Sequence, residues 1–417
     1  MKRWIIVLAA LSLLLLTMLP ACGGGKEETP VPTSIPTATP SPTPTAIATS
    51  TATPTPTSAM EPVKIGAIAP WSGPMAMTGM LTDQIISVVE EQVRNMGGIL
   101  GGREVKIVRA DDRGVVAESV AQAKKLTLED KVTILTLGGI SAAHFSAVAE
   151  AAEELKVPYI AFASIYGLEG KKYSACLYST VNSIERFANF ITNVVKPKTV
   201  AWLAIDNDMS RVMIDGLEDV QGARERLRAN GIDIVYEQYF PPDTMDLSPY
   251  LTKIKYLNPD LVTPFINTTE QAITLNKQVM ELGGWGSIKV FFPAETNSGK
   301  TLATMPAELG AYASVIWVPG SDDPGMKAFE DAYTQKYNRL PDPALTYFYN
   351  DFWAAIKAVE LAGTDDRDKV AQAMRSGNLE WDSAWGHLRI PPNGKGQIDL
   401  GVAQIQEGGK LVKVWPQ

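Results

Sequence analysis

From about residue 63 onward, short apolar runs alternate with longer stretches of helical period. Val63–Ala69, Val105–Arg109, Val132–Leu137 and Pro158–Phe162 are apolar, often β-branched runs of strand length. Between them, Asp83–Met96, Ala117–Leu128 and Ala142–Leu155 repeat apolar residues every three or four positions, the pattern of a helix with one buried face. Near Thr180 the alternation restarts. It predicts helices over Glu185–Val194, Met213–Asn230, Leu247–Tyr256 and Glu270–Leu282. The strands between them are Thr199–Ile205, Ile232–Phe240, Leu261–Ile266 and Ile288–Phe292. The last third differs: a strand at Ala313–Val318, helices at Pro324–Asn338 and Ala344–Ala362, then turn- and β-rich sequence from Trp381. Two successive runs of strand and helix predict an α/β protein with two doubly wound parallel sheets.

The unit Val132–Ile165 carries the most information. Gly138-Gly139 break its first strand and Ser141 stands at the N-cap of the helix that follows. Strands joined by such a helix finish at the same sheet edge, where open α/β sheets bind ligands. Free N–H groups at the helix N-terminus would hold a carboxylate without a basic side chain. A tight turn with no ligand explains the glycine pair equally well. Gly97–Gly102 follows a helix and precedes a strand, the reverse of a phosphate loop, and reads as a turn. No Gly-x-Ser-x-Gly elbow is present, and Asp111-Asp112 end a strand without a second marked acid, so no enzyme is predicted.

Composition adds a membrane and a spacer. Lys2 and Arg3 precede an apolar run from Trp4 to Met18, then Leu19-Pro20-Ala21-Cys22. This is the layout of a secretory signal, too short to span a bilayer. Its end resembles a bacterial lipobox, so residues 1–22 read as a lipoprotein signal with Cys22 as the lipid attachment site. Residues 23–61 are rich in Pro, Thr and Ser and cannot bury a core, which predicts a disordered linker. Extended at about 3 Å per residue, it would reach up to ~100 Å from the membrane. The expected location is extracytoplasmic, lipid-anchored to the cell membrane. The chain carries 46 acidic against 38 basic residues, a net charge of −8, which argues against a nucleic-acid partner. Of two cysteines, Cys22 is committed to the anchor, and Cys176 in an apolar stretch reads as a buried, inert thiol. Two histidines, His144 and His387, without nearby metal-ligand spacing predict no metal or other cofactor.

Four ordered stretches carry a resemblance. They are IGAIAPWSGPMAMTG, NMGGILGGREVKIVRADD, the strand pair DKVTILTLGG and VPYIAFAS, and AFEDAYTQKYNRLPDPALTYFYNDFWAAIKAVELAG. Together they resemble the type I periplasmic binding proteins, the branched-chain amino-acid (Leu/Ile/Val) substrate-binding family of ABC transporters. The resemblance implies two α/β lobes joined by three crossovers and closing on a ligand by hinge motion. It implies an N-terminal lobe of 62–181 and 315–377 and a C-terminal lobe of 182–314 and 378–417. The expected function is solute binding for an importer, with a small amino acid or related carboxylate or amide as ligand and a permease as partner, by a monomer. A ligand-sensing receptor subunit for a membrane signalling protein is the alternative.

The family's ligand positions are only partly kept. Its Ser/Thr loop falls on Ser141-Ala142-Ala143, so backbone N–H groups remain while a hydroxyl is lost at Ala142. Its second loop falls on Ala163-Ser164-Ile165, where Ser164 keeps a donor and Ile165 loses one. Met209 replaces a tyrosine that closes over the ligand. Glu295 retains the acid that pairs with a ligand ammonium, Asn267 ends a strand at a contact position, and Trp71 and Tyr349 match first-lobe and hinge-side contacts. On chain position alone Glu295 reads rather as a solvated loop acid, while Trp71 and Tyr349 read equally as packing and Met209 as a gap-filler. His144 is expected to be partly exposed and without a ligand role.

Overall fold

The computed structural model describes residues 60–417, apart from 218–219, 267–268, 294–305, 399–400, 408–409 and 416–417. The first lobe contains β1 (Val63–Ala69), α1 (Ala76–Asn95), β2 (Val105–Asp111), α2 (Val116–Leu128), β3 (Ile134–Leu137), α3 (Ala142–Leu155), β4 (Tyr159–Ala161) and β5 (Ser174–Cys176). The strands form one parallel sheet in the order β2-β1-β3-β4-β5. The chain therefore reverses its direction of growth between β1 and β3. At such a switch the loops at the carboxyl ends part and leave a crevice.

The chain then builds a second lobe from α4 (Thr180–Phe190), which runs on as a π-turn over Ile191–Val195, β6 (Thr199–Ile205), α5 (Asp208–Asp215), β7 (Gly216–Leu217) and β8 (Val220–Gln221). It continues through α6 (Ala223–Ala229), β9 (Asp233–Phe240), α7 (Ser248–Leu257), β10 (Leu261–Phe265), α8 (Thr269–Glu281), β11 (Lys289–Phe292) and β12 (Tyr312–Val315). The chain returns to the first lobe with α9 (Pro324–Tyr337), α10 (Leu345–Ala362), α11 (Arg367–Met374), β13 (Leu379–Ser383), β14 (Gly386–Ile390) and β15 (Gln397–Ile398). Finally β16 (Gly401–Gln406) and β17 (Lys410–Trp415) complete the second sheet, ordered β17-β16-β12-β11-β10-β6-β9. Its first-built strands are parallel, and β16 and β17 join antiparallel. Its switch point lies between β6 and β10. Two lobes with three passages between them follow, after β5, after β12 and after β15.

Two expectations need correction. The segment 379–398, assigned above to the C-terminal lobe, packs on the first: Leu379, Trp381, Leu388 and Ile390 share a core with Ile65, Val89 and Phe352. The reason is α10, which is buried along nearly its whole length and needs a cover. The turn after β13 supplies it. Trp385 is fully buried, its indole N–H donates to Thr346 Oγ1 (2.8 Å), and the Ala384 N–H donates to Asn350 Oδ1 (2.9 Å). The helix predicted over Met213–Asn230 is instead two helices with the hairpin β7–β8 between them. Gly216 sets the break: its φ is +95°, and a Cβ there would lie 2.1 Å from the Val220 carbonyl oxygen. No side chain but hydrogen fits.

The end of β5 and the start of α4 are bonded to the turn that leads into β15. The Gly396 N–H donates to the Cys176 carbonyl (2.7 Å) and the Cys176 N–H to the Gly394 carbonyl (2.9 Å). Asn182 Nδ2 donates to the Gly396 carbonyl (2.7 Å).

Candidate functional site between the switch points

The end of β3 is held in an uncommon conformation. Leu137 is buried with φ +66°, which costs a non-glycine residue about 1–2 kcal/mol. Its two backbone polar groups are both fixed from below. The N–H donates to Asp351 Oδ2 on α10 (2.6 Å), and the carbonyl accepts from the Tyr159 hydroxyl on β4 (2.9 Å). Asp351 is fully buried, and burial pushes its carboxyl well above the usual range, against the lowering by the Leu137 N–H. Beyond it, the Gly138 and Gly139 N–H groups both donate to the Ile68 carbonyl at 3.1 Å, tying β3 to β1. The edge is tied down by these backbone bonds, although Asp351 Oδ1 itself is buried without a partner among the described residues.

This geometry aims α3. Its N-cap Ser141 is extended (φ −145°, ψ 163°), yet its side chain does not cap the helix. The hydroxyl instead meets His144 Nδ1 at 2.7 Å. The N–H groups of Ala142, Ala143 and His144 have no partner within the helix, because the first turn of any helix leaves them free. They lie just past the carboxyl end of β3, where a helix N-terminus of free backbone donors is the kind of place that can take an anion. Ala142 is half-buried and Ala143 exposed, as an edge position requires. His144 differs from expectation: it is only 6 % exposed, its ring lies against Gly139, and its Nε2 has no partner among the described residues.

Asp111, the last residue of β2, organises the lip that follows β1. Its carboxylate accepts from the N–H groups of Trp71 (2.8 Å), Ser72 (3.2 Å) and Arg113 (3.0 Å) and from the Ser72 hydroxyl (2.5 Å). Burial alone would raise its pKa; the donors outweigh it and hold the carboxyl below its usual range. Trp71 is half-buried against the first-lobe core, and its indole N–H is a buried donor without a partner among the described residues.

At the end of β4, Ala163 and Ser164 are half-buried and Ile165 is buried. Ser164 Oγ accepts from the Thr180 N–H (3.0 Å) and lies 3.0 Å from Thr180 Oγ1, so its hydroxyl also ties this loop to the first passage between the lobes. Opposite stands the loop after β6. Asn207 caps α5 by accepting from the Ser210 N–H (2.9 Å), which leaves Asp208 and Met209 exposed on the first turn. Arg211 pairs with Asp206 through two bonds (2.7 and 3.0 Å) and lies over the Tyr239 ring at 4.0 Å. The two loops are close: Tyr166 has its phenol pKa raised by burial and then by the charge of Asp208. A cavity of about 580 Å³ opens beside Ser164, between Ile165, Tyr166 and Thr180 on one side and Leu217 and Val220 of the β7–β8 hairpin on the other.

The candidate residues thus divide. Ala142, Ala143, Ala163, Ser164 and Ile165 lie at the carboxyl edge of the first sheet, and Met209 lies on the first turn of α5 in the second lobe. Trp71 sits at the lip. Tyr349 is not at the edge. It is 5 % exposed, packs on Phe329 with ring centroids 4.7 Å apart, and burial pushes its phenol up to about 12 while Gln92 and Trp353 bond it. Its side chain belongs to the layer between α1, α9 and α10. Asn267, Glu295 and Cys22 lie outside the described residues. Cys176 is a free, buried thiol whose pKa burial raises to about 11, in line with an inert role. Sequence reasoning missed Asp351, Tyr166 and the hairpin pair Leu217 and Val220. Only the hairpin left a trace, as glycines at 216 and 222 inside a helical pattern.

Among the described residues no helix is long and apolar enough to cross a membrane, and no cluster of His, Cys, Asp and Glu suits a metal. The chain is 22% identical over 378 residues to a Leu/Ile/Val-binding protein homolog 7 of Brucella abortus, covering 85% of this chain and 91% of that protein. Among solved structures, a leucine-binding protein from Thermotoga maritima shares the fold with a TM-score of 0.65 at 23% identity, over 84% of this chain and 97% of the other. A solute-binding protein of an ABC transporter from Rhodopseudomonas palustris, in complex with 3,4-dihydroxybenzoic acid, has a TM-score of 0.67 at 24% identity, over 84% and 96%. The profile of the periplasmic binding proteins matches residues 62–410, and this chain belongs to that family of solute-binding proteins, which are not enzymes.

Proposed function

We propose that the protein binds a small amino acid or related carboxylate or amide between its lobes, closes by hinge motion and delivers the ligand to an ABC permease. The observation that carries this reading is the first turn of α3. Three N–H groups lie at a switch-point edge tied down by backbone bonds, with no cationic side chain among the candidate residues of that edge. Such a site suits a carboxylate, which N–H dipoles stabilise without a paired charge. The Thermotoga protein is a leucine-binding protein and the Rhodopseudomonas protein is in complex with 3,4-dihydroxybenzoic acid, both small carboxylates, which supports the class. An ammonium on the ligand would be met by Glu295, and Met209 would close over the bound molecule. A lipid on Cys22 and the linker over 23–61 would hold the monomeric domain outside the membrane, within reach of the permease.

The test is calorimetric titration of the full chain with amino acids, aromatic acids and their amides. Binding of at least one carboxylate with micromolar or tighter affinity, lost in its methyl ester, is the expected result. A panel without any binder would overturn the reading. For a hit bearing an ammonium, Glu295→Ala should weaken binding at least tenfold; unchanged affinity would remove Glu295 from the site.

A further inference from the structure

Ser141 has the extended backbone from which an N-cap serine turns its Oγ back to accept from the N–H two or three residues on. No such bond forms here. The Oγ lies instead 2.7 Å from Nδ1 of His144, the third residue of α3. His144 is itself held in place. It is 6 % exposed, and a Cβ on Gly139 would lie 2.6 Å from its ring Cδ2, so only glycine, here at φ +113°, leaves room for the imidazole. Its Nε2 is buried and has no partner among the described residues. A buried ring nitrogen without a partner costs stability, and so does a helix start without its cap. Both losses fall on the same turn, and the one contact they maintain is the bond between Ser141 and His144.

We propose that His144 is a positioning residue for ligand binding: by holding the Ser141 hydroxyl, it keeps the N–H groups of Ala143 and His144 uncapped and leaves them for an anionic group of the ligand. The proposal rests on the carboxylate reading above and adds what keeps that helix start open. A serine hydroxyl and a ligand carboxylate compete for the same donors. An N-cap serine with a free hydroxyl accepts from the second or third N–H of the helix, and an N–H so used is lost to a ligand. The imidazole removes this competitor. Because Nε2 is closed to solvent, the effect runs through Ser141 and not through contact of the ring with the ligand. Gly139 thereby has a second use beside its bond to the Ile68 carbonyl, as the place where the ring fits.

The experiment compares the full chain as wild type, His144→Phe and the double variant Ser141→Ala/His144→Phe by two readouts, with thermal unfolding as a control on the fold. Phenylalanine keeps a ring beside Gly139 and removes the nitrogen that holds Ser141. The first readout needs no ligand: amide hydrogen exchange at residues 143 and 144. Exchange there should slow about fivefold in His144→Phe, the equilibrium worth of one cap, and return to the wild-type rate in the double variant. The second is calorimetric titration with leucine and with benzoate. Affinity for the tighter of the two should fall about fivefold in His144→Phe and recover in the double variant, a rescue that lost packing would not give. His144→Asn, whose amide reaches the place of Nδ1, should keep more of the affinity than His144→Phe; an equal loss would overturn the role. Unchanged exchange in His144→Phe, or no recovery in the double variant, would overturn it too while leaving carboxylate binding intact. A wild type that binds neither ligand, nor any of the wider panel, would overturn the carboxylate reading and this role with it, whatever the exchange rates.

Discussion

The two lobes present unlike edges to each other. The first ends its strands in backbone: Leu137, Gly138 and Gly139 are bonded down to Asp351, Tyr159 and Ile68, and only the α3 N–H groups are left over. The second ends in side chains: Asp208 and Met209 stand exposed on the first turn of α5, and the hairpin adds Leu217 and Val220. Their buried acids follow the same division. Asp351 lies directly under the first lobe's carboxyl edge. In the second lobe Glu308 is buried near the amino ends of β11 and β12, at the far edge of the sheet, accepting from the Trp285 indole N–H at 3.4 Å. Under the proposed function the fixed edge would take what ligands of a class share, and the side-chain edge would select among them.

The largest effects should come from the fixed edge. Gly138→Ala would place a Cβ 2.1 Å from the Tyr159 hydroxyl at φ +87°, and should cost about 3–5 kcal/mol in urea unfolding. Asp351→Ala leaves the Leu137 N–H buried without an acceptor and should cost about 2–4 kcal/mol, whereas Asp351→Asn keeps an acceptor and should stay within about 1 kcal/mol of wild type. If Asp351→Ala were as stable as wild type, the edge would not depend on its support.

The far edge should respond to pH instead. Burial raises the Glu308 pKa to about 8, above its unfolded value, so the folded state favours the proton. Its stabilising protonation is fully present below the unfolded pKa and is lost as pH rises through about 8. Glu308→Gln should therefore unfold like wild type near pH 4 and become more stable than it by about 2–4 kcal/mol at pH 8–9. A pH-independent difference between the two melting curves would contradict this. Smaller still, Tyr349→Phe should lose about 1 kcal/mol of stability with unchanged ligand affinity, because its hydroxyl bonds Gln92 and Trp353 rather than a ligand. Met209→Ala is the converse: stability within about 0.5 kcal/mol of wild type, with ligand affinity reduced in calorimetry.

Much of the first lobe is legible in the sequence. β1 and α3 fall on the predicted residues, because a continuous apolar run and a clear helical period each leave one interpretation. The switch-point edge follows from strand order, once Gly138-Gly139 are seen to end β3. What was illegible depends on distant neighbours. His144 reads as a surface residue of a first turn until its ring is found packed on Gly139. Tyr349 and Asp351 are two residues apart on one helix, and only packing sends the first into the helix layer and the second under the edge. The three-strand cover β13–β15 follows its lobe-mates by contact, not by chain position. The hairpin was hidden because the flanking residues keep a helical period across it.

The bonding at the end of β5 bears on the hinge that the proposed function calls for. Cys176, Asn182 and the 394–396 turn share three hydrogen bonds, so the chain leaving the first lobe after β5 is strapped to the turn that leads into β15. Twisting either segment alone would break bonds that the other needs. Under the proposed closure, such a strap would hold the two segments to one movement and limit sideways slip of one lobe against the other.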